Sequence, residues 1–472
     1  MRPNLCALGV IALLLSTLSY REPAWAEGPP TPGAPGAPPD RPPITLPHPE
    51  SYTLPNGMRV VMDEDHRAPF VGIAIALPTG PLNDPAGRAG MSNLTGRLLR
   101  YAETRHISRN DRDALFRSLD LSPFYPEVET EPELTMLKLT VPSRALPLAM
   151  WLESDRLGFF ADGIQEDITG DVLAEMDRDA SRTSAQPYGA VVERSIEAAF
   201  GVAHPYGQLF KPASETLSSV TPAELRAHIG RHYGPDQVVL SLSGDFQPTP
   251  TKEIVARYFG SLAGAPRHAD AAAAEGQVDG ERRLTMEADV EWPMIVLIWR
   301  TPRYLDDRDL ILDLAGEILF TRLDRLLVRE LRVAEGISCW ERSFHQGSAF
   351  IVQVRMRKDA SADEIIRRVD GEITRLGAEV SPGELETAKN LMKLGGLRHQ
   401  LSPVDRAGSI ASLMLAGGDT STLERQITFR QSVDGDRLRA VVRAELPLLR
   451  RVITTVKPNP ASPKAGRVVG GG

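Results

Sequence analysis

The 472-residue chain carries one order of elements twice, and an internal repeat restricts the fold more than any single element does. In the first stretch Met58 to Met62 and Val71 to Leu77 read as strands, and Gly90 to Tyr101 enters a helix. Thr135 to Val141 then alternates as a strand, Pro142 stops it, and Leu146 to Leu157 has apolar residues at helical spacing. The second stretch repeats the plan. Ile295 to Arg300 is a strand, Asp309 to Leu327 a helix and Ser348 to Arg357 an alternating strand, after which Ile365, Ile366, Val369, Ile373 and Leu376 form a helical stripe. Short hairpin-like strands mixed with long helices predict an α+β fold rather than a doubly wound parallel sheet.

Composition breaks mark where the two stretches begin and end. Arg2, the apolar run Leu5 to Leu18 and the small residues of Ala24-Trp25-Ala26 predict a signal peptide over residues 1–26, cleaved after Ala26 and leading to secretion, most simply into a bacterial periplasm. The alternative, a membrane anchor, needs about 20 apolar residues, and this run is shorter. Ten of the 22 residues from Gly28 to Pro49 are proline, which fixes φ and removes amide donors, so 27–50 reads as an extended linker. An alanine-rich linker at 265–282 separates domains expected at 51–264 and 283–458, and 459–472 reads as a tail. Cys6 leaves with the signal, so Cys339 is left alone and no disulfide framework forms. The 54 basic and 62 acidic residues give a net charge of −8, which excludes a chain held to nucleic acid by a general basic surface.

Motif order then points to a family. Leu54-Pro55-Asn56-Gly57-Met58-Arg59-Val60-Val61 opens the first strand, and Asp84-Pro85-Ala86-Gly87-Arg88-Ala89-Gly90 leads into the first helix. His204-Pro205-Tyr206-Gly207, His232-Tyr233-Gly234-Pro235-Asp236, Ser243-Gly244-Asp245 and Tyr258-Phe259-Gly260 follow in order. From roughly Tyr52 to Lys457 the chain resembles the pitrilysin/insulinase family of zinc metallopeptidases, in the short two-domain form similar to mitochondrial processing peptidase subunits. The resemblance implies two homologous domains, each a mainly antiparallel sheet packed with helices in the metallohydrolase-like fold of that family.

It also implies a site that this sequence has lost. The family carries H-x-x-E-H on the helix after the glycine turn, two histidines for Zn²⁺ and a glutamate that activates the metal-bound water. Here the motif falls on Asn93-Leu94-Thr95-Gly96-Arg97. Arg97 puts a permanent cation where a ligand should stand, and Gly96 has no side chain to take a proton. The family's third ligand corresponds to Glu175, whose alternative reading is a solvated helix carboxylate. None of the nine histidines opens H-E-x-x-H or H-x-x-E-H. His228 and His232 stand at metal-ligand spacing with Glu224 on the same face, but no base lies between them, and they read as a structural helix face.

A second family feature, an arginine with a tyrosine seven residues later, binds substrate backbone. Leu331 to Cys339 fits that segment, with Arg332 as the substrate-binding arginine and Cys339 in place of the tyrosine; Arg329 is an alternative match. A surface ion pair is the competing reading for either arginine, and a packed thiol the favoured one for Cys339.

The resemblance therefore implies a secreted, non-catalytic homologue, with no cofactor of its own, that shapes the peptide cavity of an active zinc-bearing partner. Peptides are the expected ligands, and no membrane span is expected once the signal is removed. A stand-alone peptide-binding or scaffold protein is the alternative reading, and an active zinc metallopeptidase with unrecognised ligands is a second.

Overall fold

The computed structural model describes residues 49–101, 103–118, 126–201, 204–208, 216–263 and 278–471. The expected signal peptide, most of the proline-rich linker and most of the alanine-rich stretch lie outside the described residues. Two six-stranded sheets organise the rest. The first contains β1 (Glu50–Thr53), β2 (Arg59–Glu64), β3 (Phe70–Leu77), β4 (Glu127–Thr130), β5 (Thr135–Pro142) and β6 (Val239–Gly244), in the order β1-β2-β6-β3-β5-β4. The second contains β7 (Arg282–Ala288), β8 (Met294–Thr301), β9 (Ala334–Arg342), β10 (Ser348–Met356), β11 (Val452–Pro458) and β12 (Arg467–Gly471), in the order β12-β7-β11-β8-β10-β9. Within each sheet all pairings are antiparallel except one, β2 with β6 and β11 with β7. The α+β repeat is thus written into strand order.

The two sheets differ in one strand. The outer strand beside β2 comes from the start of the described chain, whereas the outer strand beside β7 comes from its end. Residues 459–472 were expected as a tail; instead Arg467 and Val468 pair with Glu287 and Met286, and the segment closes the sheet edge as β12. Its run of exposed residues hid it from periodicity, because a short edge strand needs no buried face.

Both faces of each sheet are covered, and the strand sequences show why. In β3, Ile73, Ile75 and Leu77 face a core built with the helices Met91–Tyr101 and Leu146–Phe159, while Ala74 and Ala76 point the other way. In β8, Ile295, Leu297 and Trp299 join one core and Val296 and Ile298 another. Side chains alternate across a strand, so a continuous apolar run requires two covers.

The second cover is exchanged between the halves. The helix Val191–Phe200, early in the chain, packs on the second sheet, with Val191, Ile196, Ala199 and Phe200 against Val296, Ile298 and Val452. The helix Pro403–Leu415, late in the chain, packs on the first, with Ala407, Ile410, Ala411 and Met414 against Val61, Ala74 and Ala76. Burial of Ile410 and Met414 there contributes roughly 1.5–3 kcal/mol each. Gly72 of β3 makes the approach possible, since a Cβ at that position would lie 2.3 Å from the Val404 amide nitrogen. A polar pin fixes the register: buried Arg406 meets Asp63 and Asp65, each at 2.7 Å, and donates to Ser243 Oγ at 2.7 Å and to the Gln400 carbonyl at 2.9 Å. On the other side Ser195 and Thr454 share a buried hydroxyl contact at 2.7 Å. The boundary was expected at 265–282, and the spatial halves each borrow a helix from the other side of it.

Candidate functional site

The helix Met91–Tyr101 begins at a tight carboxylate cap. Asp84 accepts from the Gly90 amide at 2.6 Å and the Ser92 amide at 2.7 Å, satisfying donors that a first helical turn leaves open. Burial pushes the Asp84 carboxyl up to about 6, against the pull of those hydrogen bonds. Arg88 of the same turn reaches Glu224 at 2.7 Å and the Thr216 carbonyl at 3.1 Å. Leu94, Leu98 and Leu99 bury the inner face, which leaves Asn93 and Arg97, one turn apart, half-buried on another.

Arg97 meets the acidic face of a second helix, Glu166–Ser184. Its Nη1 donates to Glu175 Oε1 at 2.9 Å and its Nη2 lies 2.8 Å from Asp179 Oδ2. Glu175 and Asp179 are four residues apart and so share a helix face. Tyr101, one further turn along, donates its hydroxyl to the same Glu175 oxygen at 3.3 Å. Sequence alignment on the family motif thus brings Arg97 and Glu175 together; Asp179 and Tyr101 were missed, although i+4 spacing from Glu175 and from Arg97 was a readable signal for each. Glu175 is paired rather than simply solvated.

These residues do not fit zinc. A guanidinium carries a fixed charge and offers donors only, so it cannot ligate a metal. It already occupies the one carboxylate that corresponds to a family ligand. Gly96 is also more than an absent base: a Cβ there would sit 2.5 Å from Thr130 Oγ1 on β4 and 3.4 Å from Thr135 Cγ2 on β5. The glycine lets the helix lie directly against the sheet edge, where Thr135 donates to the Thr79 carbonyl at 2.8 Å and shares a hydroxyl contact with Thr130 at 3.3 Å.

His228 and His232 are both buried, with ring centroids 4.6 Å apart. Burial, followed by the nearby His232 and Arg231 charges, pulls His228 down to about 3. Glu224 turns away from them into a capping box with Thr221 and the pair with Arg88. Among the described residues no group of three or more His, Cys, Asp or Glu is arranged to hold a metal ion.

Arg332 lies between the π-helical turn Asp324–Glu330 and β9. It is exposed, has φ +53°, and makes no side-chain hydrogen bond or ion pair among the described residues. A left-handed backbone costs a residue with a Cβ roughly 1–2 kcal/mol. Arg329, the alternative match, is instead committed to Asp324 at 2.7 Å. Cys339 packs against the second core, where burial and then Glu317 push its thiol well above the ordinary range. It is a packed residue rather than a nucleophile.

The His204-Pro205-Tyr206-Gly207 motif serves the junction of the halves. Buried Tyr206 donates its hydroxyl to Glu133 of the β4–β5 turn and accepts from the Gln346 amide at 2.9 Å, while Glu133 also accepts from the His345 amide at 2.6 Å. Among the described residues no helix is long and apolar enough to cross a membrane.

Residues 219–392 match the family model described as Peptidase M16 inactive domain. A chain described as an uncharacterized zinc protease of Mycobacterium tuberculosis is 24% identical over 411 residues, covering 84% of this chain and 90% of its own. A protease from Helicobacter pylori has the same fold, with a TM-score of 0.79 at 19% identity, over 88% of this chain and 100% of that one. The first half of the periplasmic protease PqqL from Escherichia coli gives a TM-score of 0.71 at 16% identity, over 88% and 93%. The structural likenesses establish the fold, and the sequence matches agree with the family that the motif order indicates.

Proposed function

We propose that this chain is a secreted, non-catalytic member of the pitrilysin/insulinase (M16) peptidase family that lends peptide-cavity surface to a zinc-bearing partner subunit. One observation carries the reading: Arg97 is locked onto Glu175 and Asp179 where the family's second histidine and third ligand would meet a metal. The chain brings no zinc and no general base to a reaction. Its family-matching arginine, Arg332, is exposed and uncommitted, and a guanidinium offers five fixed donors suited to peptide carbonyls and carboxylates. The likeness to half of a periplasmic protease supports a periplasmic destination, in line with the signal-like residues 1–26.

Co-expression with a candidate partner, a homologue carrying H-x-x-E-H encoded beside it, tests this. The pair should co-purify and cleave peptides faster than the partner alone. Arg332→Ala should leave co-purification and the melting temperature unchanged but lower the stimulated rate about tenfold, a loss of ~1.4 kcal/mol. Equal activity of the partner with and without this chain would overturn the proposal.

A further inference from the structure

At the edge of the second sheet opposite β9, a cavity of about 770 Å³ opens between the helix Val191–Phe200, the start of β7 and β12. Three arginines line it, and two are committed. Arg194 pairs with Glu197 at 2.7 Å, and Arg467 lies 3.5 Å from Glu287. The third, Arg282, is half-buried, donates one long hydrogen bond of 3.3 Å to the Ala199 carbonyl, and has no ion-pair partner among the described residues. Arg300, stacked at 4.8 Å on Phe200, lies close enough that burial and then the Arg282 charge pull its guanidinium below the ordinary range. Asp279 offsets part of that repulsion at Arg300, whereas Arg282 has only the Ala199 carbonyl as a hydrogen-bond partner among the described residues. Glu197 shares the wall with Arg194, and the rest of the lining is apolar or glycine, including Leu284 and Val468.

We propose that this cavity binds a carboxylate carried on an apolar body, the C-terminal end of an apolar peptide, with Arg282 as its ionic anchor. One uncommitted guanidinium matches one carboxylate in a two-bonded fork. A dianion fits less well, because Glu197 at the wall and Glu287 behind Arg467 repel a second negative charge. Leu284 and Val468 give the apolar residues of the peptide a surface to cover. The site is independent of Arg97 and of any partner, and stands whether or not the chain works in a pair.

Calorimetric titration of the full chain with acetyl-Leu-Val-Leu, as free acid and as C-terminal amide, tests the assignment at low salt. The acid should bind at least about tenfold more tightly than the amide. Arg282→Gln should erase that preference in a chain that still melts cooperatively. Val468→Asp, on an exposed edge strand where folding is not at stake, should weaken the acid at least about fivefold by adding a like charge at the mouth. Equal binding of acid and amide, an acid preference that survives both substitutions, or inorganic phosphate alone binding more tightly than the peptide would each overturn it.

Discussion

Asp309 shows how a residue can be invisible to periodicity and still govern a property of the fold. It lies in the helix Asp307–Leu323 with Asp313 and Glu317 at steps of four, so three carboxyls share one face of the helix. Ser343 and Ser348 donate to its Oδ1 at 2.8 and 3.0 Å, and Arg430 pairs with Asp313 at 2.6 Å. Burial, then the Asp313 charge, pushes Asp309 up to about 7, and burial and then Asp309 push Glu341 of β9 well up. An unfolded Asp ionises near pH 4, so between about pH 4 and 7 the unfolded chain gives up a proton that the folded chain keeps. The contribution to stability is therefore full below about pH 4 and is lost as the pH rises through 7. Asp309→Asn keeps the acceptor for both serines and removes the ionisation. Its melting temperature should gain on the parent steadily from pH 4.5 to 8, and parallel curves across that range would refute the assignment. His228, which burial holds near 3, acts in the opposite direction but cancels in the comparison. At the candidate site the sequence was more legible: Asn93, Gly96 and Arg97 could be placed because the motif has fixed spacing. The clash at Gly96 with Thr130 was not, since it depends on how close a helix lies to a strand 34 residues away.

The helices and strands themselves were readable, because alternation and helical spacing report which residues are buried. Thr135–Pro142, Leu146–Phe159 and Ala362–Ala378 all fall where the pattern put them, to within three residues. What the pattern cannot report is the identity of the covering partner. An amphipathic helix needs an apolar surface, and Val191–Phe200 and Pro403–Leu415 each found the sheet of the other half. The choice is written in specific residues, in Gly72 under Val404 and in Arg406 among Asp63, Asp65 and Ser243. Removing one partner of a buried ion cluster leaves the others uncompensated, at a cost of about 3–5 kcal/mol. Arg406→Leu should lower the unfolding free energy by that amount in urea titration, with both halves still melting together because the exchanged helices join them. A loss under about 1 kcal/mol, or the first half unfolding alone with the second unmoved, would mean the pin is not what holds the exchange.

For the whole molecule, a repeated plan builds two matching sheets, while in the first half an ion pair of Arg97 with Glu175 and Asp179 stands where the proposed family reading puts a metal. Sheet order, exchanged helices and the Tyr206–Glu133–His345 junction all hold the two halves in one arrangement. The helix position of Arg97 is the exception, where a guanidinium and two carboxylates form a half-exposed ion-pair fork worth no more than about 1 kcal/mol per pair. The succession of elements along the chain was legible as a repeat; the origin of β12 was not, because a five-residue exposed strand carries no apolar signature. The central claim is that this chain holds no zinc of its own. Elemental analysis of protein purified without a metal-binding tag measures it directly. Well under one zinc per chain is expected, unchanged by Glu175→Ala, and about one tightly held zinc that Glu175→Ala releases would contradict the account.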